Sequence, residues 1–236
     1  MTTICLEPNS RGWLQFPILA SRPDIAHFAC TRQEAPALQS ALGVQRIYLS
    51  RQIHSDRIAL VNGHTGELIG YDALVCAESR ICLGISTADC VPILLYAPDK
   101  RVIAAIHAGW RSSVMQIARA TVRFMADQFG CEPRLMLAGI APSIGWEAFE
   151  VGEEVPQAFL RAGINISLFH RINPASGKSH IDLKNANYLQ LRSAGLLSEN
   201  IQSSDACTFS DEDLFASARR QGADCPRMIS GIMLKA

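Results

Sequence analysis

Short apolar runs separated by turn residues dominate this chain, and the runs at 90–96 and 101–106 are rich in β-forming residues. This pattern is typical of buried or half-buried strands rather than of helices. It predicts strands at 13–16, 47–49, 58–61, 72–77, 81–86, 90–96, 101–106, 134–140, 201–206 and 228–234. Hairpins alternate with strand–helix–strand steps. We therefore expect an α+β (mixed α/β) fold, a layered α/β sandwich with mixed sheets, rather than a doubly wound parallel sheet.

Apolar residues at helical spacing predict one long helix over 113–129, which ends at Gly130. Ser112 or Ser113 is a suitable N-cap for this helix. Two further helices are expected near 153–162 and 183–194. The chain contains no repeat, low-complexity tract or long linker, so we expect a single domain over 1–236.

Two of the predicted strands flank a turn at 97–100 that contains proline. Proline cannot adopt the positive φ of two-residue hairpin turns, so a loop of three or four residues is expected. In one register Cys90 lies opposite His107, and in the other His107 faces Val91. Both registers bring Cys90 and His107 within roughly 5–8 Å of each other.

The candidate chemistry lies in His54, Cys90 and His107. Two imidazoles and a thiolate are ligands that zinc prefers, and three protein ligands leave a fourth position open for water or substrate. The same residues also suit a metal-free reaction with Cys90 as nucleophile and a histidine base. Asp89 is costly to bury beside the thiol, and it either orients a histidine or caps a turn. No local argument positions His54.

A second candidate is the segment Gly109-Trp110-Arg111, which leads into the predicted helix. Backbone N–H groups at a helix start favour an anion, and Arg111 would add a bidentate contact to phosphate. The alternative is that Trp110 packs in the core and Arg111 is solvated. The pair Arg219-Arg220 is typical of a solvated helix end.

Composition narrows the classes of partner. The 22 basic and 22 acidic residues cancel, so no electrostatic surface for nucleic acid or membranes is expected. The N-terminus has no secretory pattern, no apolar stretch is long enough to span a bilayer, and the eight cysteines are scattered. We expect a cytoplasmic protein with reduced thiols, a monomer or small homo-oligomer, that binds a small molecule.

Three motifs make the chain recognisable: Gln52-Ile53-His54, Thr87-Ala88-Asp89-Cys90-Val91-Pro92 and His107-Ala108-Gly109-Trp110-Arg111. Their order and separation resemble the laccase-domain or YfiH-like family. This family is also called multicopper polyphenol oxidoreductase and, by more recent assignment, purine nucleoside phosphorylase. The similarity continues through 139–145, 149–152, 182–187, 205–208 and 215–220.

The resemblance implies a zinc pocket made by His54, Cys90 and His107. It implies phosphorolysis of adenosine, inosine and S-methyl-5'-thioadenosine, with adenosine deaminase activity, so the partners would be a purine nucleoside and phosphate. On this interpretation Asp89 joins the catalytic group, and the candidates for substrate binding are Gln52, Arg111 and Arg220.

Other functions stay open at this point. Some relatives are described as copper-dependent polyphenol oxidases and others as peptidoglycan precursor editing factors. Two imidazoles and a thiolate resemble a blue-copper ligand set, so copper is a second metal to consider. Six scattered histidines argue against a trinuclear copper cluster. A non-catalytic protein with a structural metal is a further alternative.

The chain departs from the usual pattern of this family at several positions. Ser112 replaces a glycine, and Ala216 and Ala218 replace Phe and Tyr. Gln33-Glu34 stands where two glycines are usual, and 225–227 reads Cys-Pro-Arg in place of Thr-Gly-Arg. The three metal-ligand positions are intact. We expect these departures to alter the shape of the substrate pocket.

Overall fold

The computed structural model describes residues 2–32 and 35–236. Within these ranges the strands are β1 (Thr2–Ile4), β2 (Ile25–Thr31), β3 (Ile47–Tyr48), β4 (Ser50–Arg51), β5 (Ile58–Leu60), β6 (Leu68–Ile69), β7 (Ala73–Cys76), β8 (Cys82–Thr87), β9 (Val91–Ala97), β10 (Val102–Ala108), β11 (Leu137–Ile140), β12 (Glu150–Val151), β13 (His170–Ile172), β14 (Ser179–Ile181), β15 (Ile201–Ser204) and β16 (Met228–Leu234). The helices are α1 (Pro17–Ala20), α2 (Ala35–Leu42), α3 (Trp110–Val114), α4 (Ile117–Phe129), α5 (Glu154–Arg161), α6 (Leu183–Ser193) and α7 (Ala218–Gln221).

Two mixed sheets form the body of the described chain. The larger has the strand order β1-β15-β11-β9-β10-β7-β5, and the smaller has the order β2-β16-β8-β3. A three-stranded sheet, β12-β14-β13, and the parallel pair β4-β6 lie outside them. The expected mixed α/β sandwich is confirmed.

Strand β9 shows how the layers are arranged. Its odd-numbered side chains, such as Ile93, pack with α4 and α6 in one buried cluster, whereas Leu94 and Tyr96 pack with the smaller sheet in another. Ile103 and Ala105 of β10 lie in this second cluster. Because side chains alternate along a strand, His107 continues the face of β10 that points between the two sheets.

The hairpin of β9 and β10 has the expected four-residue loop but neither expected register. Ala97 pairs with Val102, so His107 lies opposite Pro92 rather than opposite Cys90 or Val91. The difference arises because the loop extends to Arg101, which takes a positive φ of 53°. Cys90 is two residues before Pro92, and it therefore lies diagonally across from His107.

The helix predicted over 113–129 is divided in two. Helix α3 begins after Gly109, and the chain then breaks at Gln116, whose φ of 61° is left-handed, before α4 starts. Ser112 and Ser113 are therefore buried inside α3, and the expectation that either caps the helix is wrong. Gly130, with a φ of 68°, ends α4 as expected.

Other sequence-based expectations fail where the chain forms turns. Segment 13–16 is not a strand, since only Leu14 forms isolated bridges. A 3₁₀ turn at Pro133–Leu135 shortens the strand predicted at 134–140. The elements β2, α2 and β12 to β14 were not predicted. The departure at Gln33-Glu34 lies outside the described residues.

The longest described helix, α4, has 13 residues. Among the residues that the structure describes, no helix combines the length and apolar character needed to cross a bilayer.

Candidate metal centre and active site

The structure brings His54, Cys90 and His107 together at one end of the two main sheets. One ligand atom from each lies within 4.8 Å of the others. Cys90 Sγ is 3.7 Å from His54 Nε2, and the two imidazole centroids are 4.8 Å apart. Three soft or borderline donors at this separation suit one shared metal ion.

Each of the three side chains reaches the cluster from a different element. Cys90 directly precedes β9 and His107 is the second-last residue of β10. His54 lies in the turn after β4 and has a left-handed φ of 61°, which is uncommon for a residue with a Cβ atom.

Asp72 stabilises this unusual turn. Its carboxylate accepts backbone N–H bonds from Ile53 at 3.3 Å, His54 at 3.0 Å and Ser55 at 2.7 Å. The Ser55 hydroxyl donates a further bond of 2.7 Å. The same carboxylate lies 2.7 Å from Nδ1 of His107. Asp72 thus connects the two histidines of the cluster and fixes both of them.

The contact with Asp72 also determines which nitrogen of His107 is available. Nδ1 donates to the carboxylate, so Nε2 is the nitrogen available to a metal or substrate. Burial by itself would raise the pKa of Asp72, but the donors on His107 and Ser55 hold it well below its usual range. The carboxylate therefore stays ionised and continues to orient the imidazole.

Cys90 and His107 form a charge pair in the metal-free protein. Burial opposes ionisation of Cys90, yet the neighbouring charge of His107 and hydrogen bonds from both imidazoles lower its pKa to about 6. Burial likewise opposes protonation of His107, but Cys90 and Asp72 raise the pKa of His107 to about 9. The thiolate is the form that binds metals, and metal binding would release the imidazolium proton.

Gly109 allows the cluster to be this compact. A Cβ atom at position 109 would lie 2.6 Å from His54 Cδ2 and 3.1 Å from Cys90 Sγ. Any other residue would push the imidazole or the thiolate out of place. The motif that contains His107 therefore requires glycine two residues later for steric reasons.

The cluster lies in a cavity of about 620 Å³. Its remaining lining residues are Ser50, Gln52, Ser86, Thr87, Ala88, Asp89, Ile144, Phe149, Ala218, Arg219, Ala223 and Arg227. Phe149 and Ile144 supply an apolar surface, and most of the other lining side chains are polar. The volume of the cavity lies in the usual range of small-molecule sites, and its lining is more polar than most of them have.

Residues 28–235 match the protein family described as multi-copper polyphenol oxidoreductase laccase. The chain belongs to this family. A purine nucleoside phosphorylase of Bacteroides thetaiotaomicron is 44% identical over 167 residues, which are 71% of this chain and 62% of that protein. Adenosine deaminase RL5, from an unknown prokaryotic organism, is 38% identical over 84% of this chain and 79% of its own length.

Two solved structures share the fold of this chain. YlmD of Geobacillus stearothermophilus superposes with a TM-score of 0.87 at 25% identity, over 98% of this chain and 99% of that one. YfiH of Bacillus licheniformis has a TM-score of 0.88 at 22% identity, over 98% of this chain and 99% of its own. This second match shows a likeness of fold alone.

The match to the Bacteroides relative covers less than two thirds of that protein.

Asp89 does not orient a histidine, contrary to one of the two roles expected for it. Its Oδ1 accepts a bond of 2.7 Å from Thr208, and its Oδ2 accepts bonds from the Ser217 hydroxyl at 3.0 Å and the Arg219 N–H at 2.7 Å. Asp72 takes the orienting role instead. The only sequence signal for Asp72 is a carboxylate directly before a buried apolar strand.

The two arginines expected to bind substrate, Arg111 and Arg220, are not in the described lining of the cavity. Arg111 is exposed and stacks on Trp110, with its guanidinium carbon 4.2 Å from the ring centroid. Arg220 donates to the backbone carbonyls of Thr208, Phe209 and Phe215. Neither residue is in the described lining of the cavity, so the structure does not support the phosphate-binding role expected for them.

Gln52 lines the cavity, but its amide is already engaged. The nitrogen donates to Ser86 O at 2.9 Å, and the oxygen accepts from Ser86 N at 2.8 Å. Gln52 therefore fixes the segment before His54 against β8. The second N–H and the second lone pair of this amide are free of these two bonds, so the expected role of Gln52 in substrate binding stays a prediction.

The departures from the family pattern have separate consequences. Ala218 lines the cavity, so the missing aromatic ring at this position leaves the cavity wider. Ala216 is buried in the core between the two main sheets. Ser112 is also buried, and its hydroxyl has no hydrogen-bond partner among the described residues. Of these three, only Ala218 contacts the site.

Proposed function

We propose that this chain is a zinc-dependent purine nucleoside phosphorylase that acts on adenosine, inosine and S-methyl-5'-thioadenosine, and that it also deaminates adenosine. The observation that carries the proposal is the cluster of His54, Cys90 and His107, whose ligand atoms lie within 4.8 Å of one another beside a cavity of about 620 Å³. Two nitrogens and a sulfur fit zinc and leave a position for a substrate oxygen.

In phosphorolysis an oxygen of phosphate forms a bond to C1' of the ribose while the bond from C1' to the purine nitrogen breaks. The products are ribose 1-phosphate and the free base. Zinc bound by the cluster would supply a positive charge that polarises an oxygen ligand. Deamination instead adds water at C6 of adenosine and releases ammonia, so both reactions use an oxygen nucleophile beside a purine.

The residues of the chain would contribute positioning and exclusion of water. Asp72 keeps His107 in the tautomer that presents Nε2 to the cluster. Phe149 and Ile144 form the apolar part of the cavity, where a purine base would lose contact with water and stack on the phenyl ring.

The names of two relatives support phosphorolysis and deamination of purine nucleosides. The Bacteroides thetaiotaomicron relative is named purine nucleoside phosphorylase and RL5 is named adenosine deaminase. The choice among nucleosides, and zinc as the metal, belong to the proposal.

The test is to incubate purified zinc-loaded protein with inosine and phosphate and to measure hypoxanthine and ribose 1-phosphate. We expect product only with phosphate, and none from Cys90→Ser. Adenosine without phosphate should give inosine and ammonia. If no ribose 1-phosphate appears, or if Cys90→Ser forms it at the original rate, the proposal is wrong.

A copper-dependent polyphenol oxidase is the second candidate, and the ligand set is the observation that favours it. Two imidazoles and a thiolate also bind copper in electron-transfer sites. Over the described residues, however, His54, Cys90 and His107 form the one metal-ligand cluster, without the additional histidines of a trinuclear site. Metal analysis after purification without chelators, together with oxygen uptake on a phenol, separates the two functions.

A further inference from the structure

Two arginines give a positive charge to the cavity next to the His54, Cys90 and His107 cluster. The carboxylate of Asp89, which also lines the cavity, does not neutralise this charge. Arg219 and Arg227 both line it and are exposed. Among the described residues, no carboxylate oxygen lies within 4.0 Å of either guanidinium group. Among the described residues that line the cavity, Asp89 is the one acidic residue, and it is only 9% exposed.

The two guanidinium groups are held in place by neutral acceptors. Arg219 Nη1 donates to Ala148 O at 3.4 Å, and the Arg219 guanidinium carbon lies 5.5 Å from the Phe149 ring centroid. Arg227 Nη2 donates to Ala223 O at 2.8 Å. A guanidinium has five N–H donors, so each arginine keeps donors for a ligand in the cavity.

Asp89 fixes the backbone that carries Arg219. Its carboxylate accepts from the Arg219 N–H and from the hydroxyl of Ser217, the residue that caps α7. Thr208 donates to its other oxygen. Both carboxylate oxygens are used in these bonds. Asp89 therefore positions Arg219 through the backbone N–H of Arg219 and not through its guanidinium group. Because Asp89 directly precedes Cys90, these bonds also hold the Arg219 segment next to a residue of the metal cluster.

We propose that Arg219 and Arg227 form a phosphate subsite beside the metal cluster, and that Asp89 is the positioning residue that holds Arg219 at this subsite. The inference rests on the proposed function, since phosphate is the second substrate of phosphorolysis. It differs from the sequence-based expectation by replacing Arg111 and Arg220 with two other arginines. The ligand is a tetrahedral phosphate oxyanion, which planar guanidinium groups bind through paired N–H bonds.

The test is calorimetric titration of zinc-loaded protein with inorganic phosphate, without nucleoside. Arg219→Gln and Arg227→Gln should each weaken phosphate binding about tenfold, as expected for the loss of a charge-assisted contact. Arg111→Gln removes an exposed arginine outside the cavity, and this control should leave the affinity unchanged. Titration with inosine monophosphate distinguishes free phosphate from the phosphate of a nucleotide. We expect inorganic phosphate to be the ligand that depends on both arginines.

The positioning role of Asp89 is tested by a double-mutant cycle. Asp89→Asn removes the negative charge that strengthens the bonds from the Arg219 N–H and the Ser217 hydroxyl, and it should raise the KM for phosphate in the same direction as Arg219→Gln, with little change in kcat. The double variant with Arg219→Gln should bind phosphate no more weakly than either single variant, whereas combination with Arg227→Gln should be additive. Ser217→Ala, which keeps the carboxylate, should give a smaller effect in the same direction.

Several results would overturn the inference. Unchanged phosphate affinity in Arg219→Gln and Arg227→Gln would show that phosphate binds elsewhere. Additive effects of Asp89→Asn and Arg219→Gln would show that Asp89 acts through general stability. If the arginine variants weaken phosphate binding but no ribose 1-phosphate is formed from inosine, the subsite stands and the proposed phosphorylase activity fails.

Discussion

Replacement of Asp72 by Asn is the sharpest test of how the metal centre is built. The side chains are nearly the same size, so the change removes charge and acceptor capacity with little loss of packing. Five donors converge on the carboxylate of Asp72, four of them on the turn 53–55 and one on His107. An amide nitrogen at either oxygen position would face at least two of these donors.

The magnitude follows from those contacts. Hydrogen bonds to a charged group contribute roughly 1.5–3 kcal/mol each, so the variant should lose about 2–4 kcal/mol of unfolding free energy. Residues that orient a metal-bound histidine typically affect metal affinity about 10–100-fold, which corresponds to roughly 1.4–2.7 kcal/mol. We expect zinc affinity of Asp72→Asn to fall by that factor, because His107 loses its orientation and the turn of His54 loses its acceptor.

The assay is a competition titration of zinc against a chromophoric chelator, with the fold monitored by circular dichroism. The matched control is Asp89→Asn, another buried carboxylate near the cluster whose bonds go to Thr208, Ser217 and Arg219. This control should keep its zinc affinity. The reasoning is refuted if a folded Asp72→Asn protein binds zinc as tightly as the unmutated protein, or if both variants lose zinc equally.

Three further predictions follow from the site. Gly109→Ala should weaken zinc binding and lower the free energy of unfolding by about 1–3 kcal/mol, as overpacking usually does. Gly66→Ala is the control: nothing lies within 4 Å of a Cβ atom there, so zinc binding and stability should stay unchanged. In metal-free protein, the thiolate absorbance that Cys90→Ser removes should titrate with a midpoint near pH 6, and His107→Gln should move that midpoint upward. Phe149→Leu should raise the KM for inosine about tenfold through lost stacking, with little effect on zinc content; an unchanged KM would contradict a base-binding role.

The same pKa values fix how the stability of the metal-free protein depends on pH. The lowered pKa of Cys90 stabilises the fold above the ordinary thiol pKa, and this contribution is lost as the pH falls through about 6. The raised pKa of His107 stabilises the fold below the ordinary imidazole pKa, and this contribution is lost as the pH rises through about 9. Both directions agree with a thiolate–imidazolium pair between these limits.

Local patterns were sufficient for much of the fold. The runs that became β8, β9, β10 and β16 are continuous, apolar and bounded by turn residues, so their structure depends little on distant contacts. The hairpin register was wrong because the loop reaches Arg101, a positive-φ residue that no residue preference would suggest. Strand β2 was missed because its pairing with β16 comes from the far end of the chain.

The sequence by itself determined the donor types of the metal centre and the short motifs that carry them, because these are properties of single residues and their neighbours. Only the tertiary structure decided that His54 meets Cys90 across 36 residues, and that Asp89 bonds partners 119 to 130 residues away. Such contacts depend on which strands become neighbours and in which register. For that reason Asp72 orients His107, and Arg219 and Arg227 join Asp89 in the lining of the cavity, whereas Arg111 and Arg220 are not part of that lining.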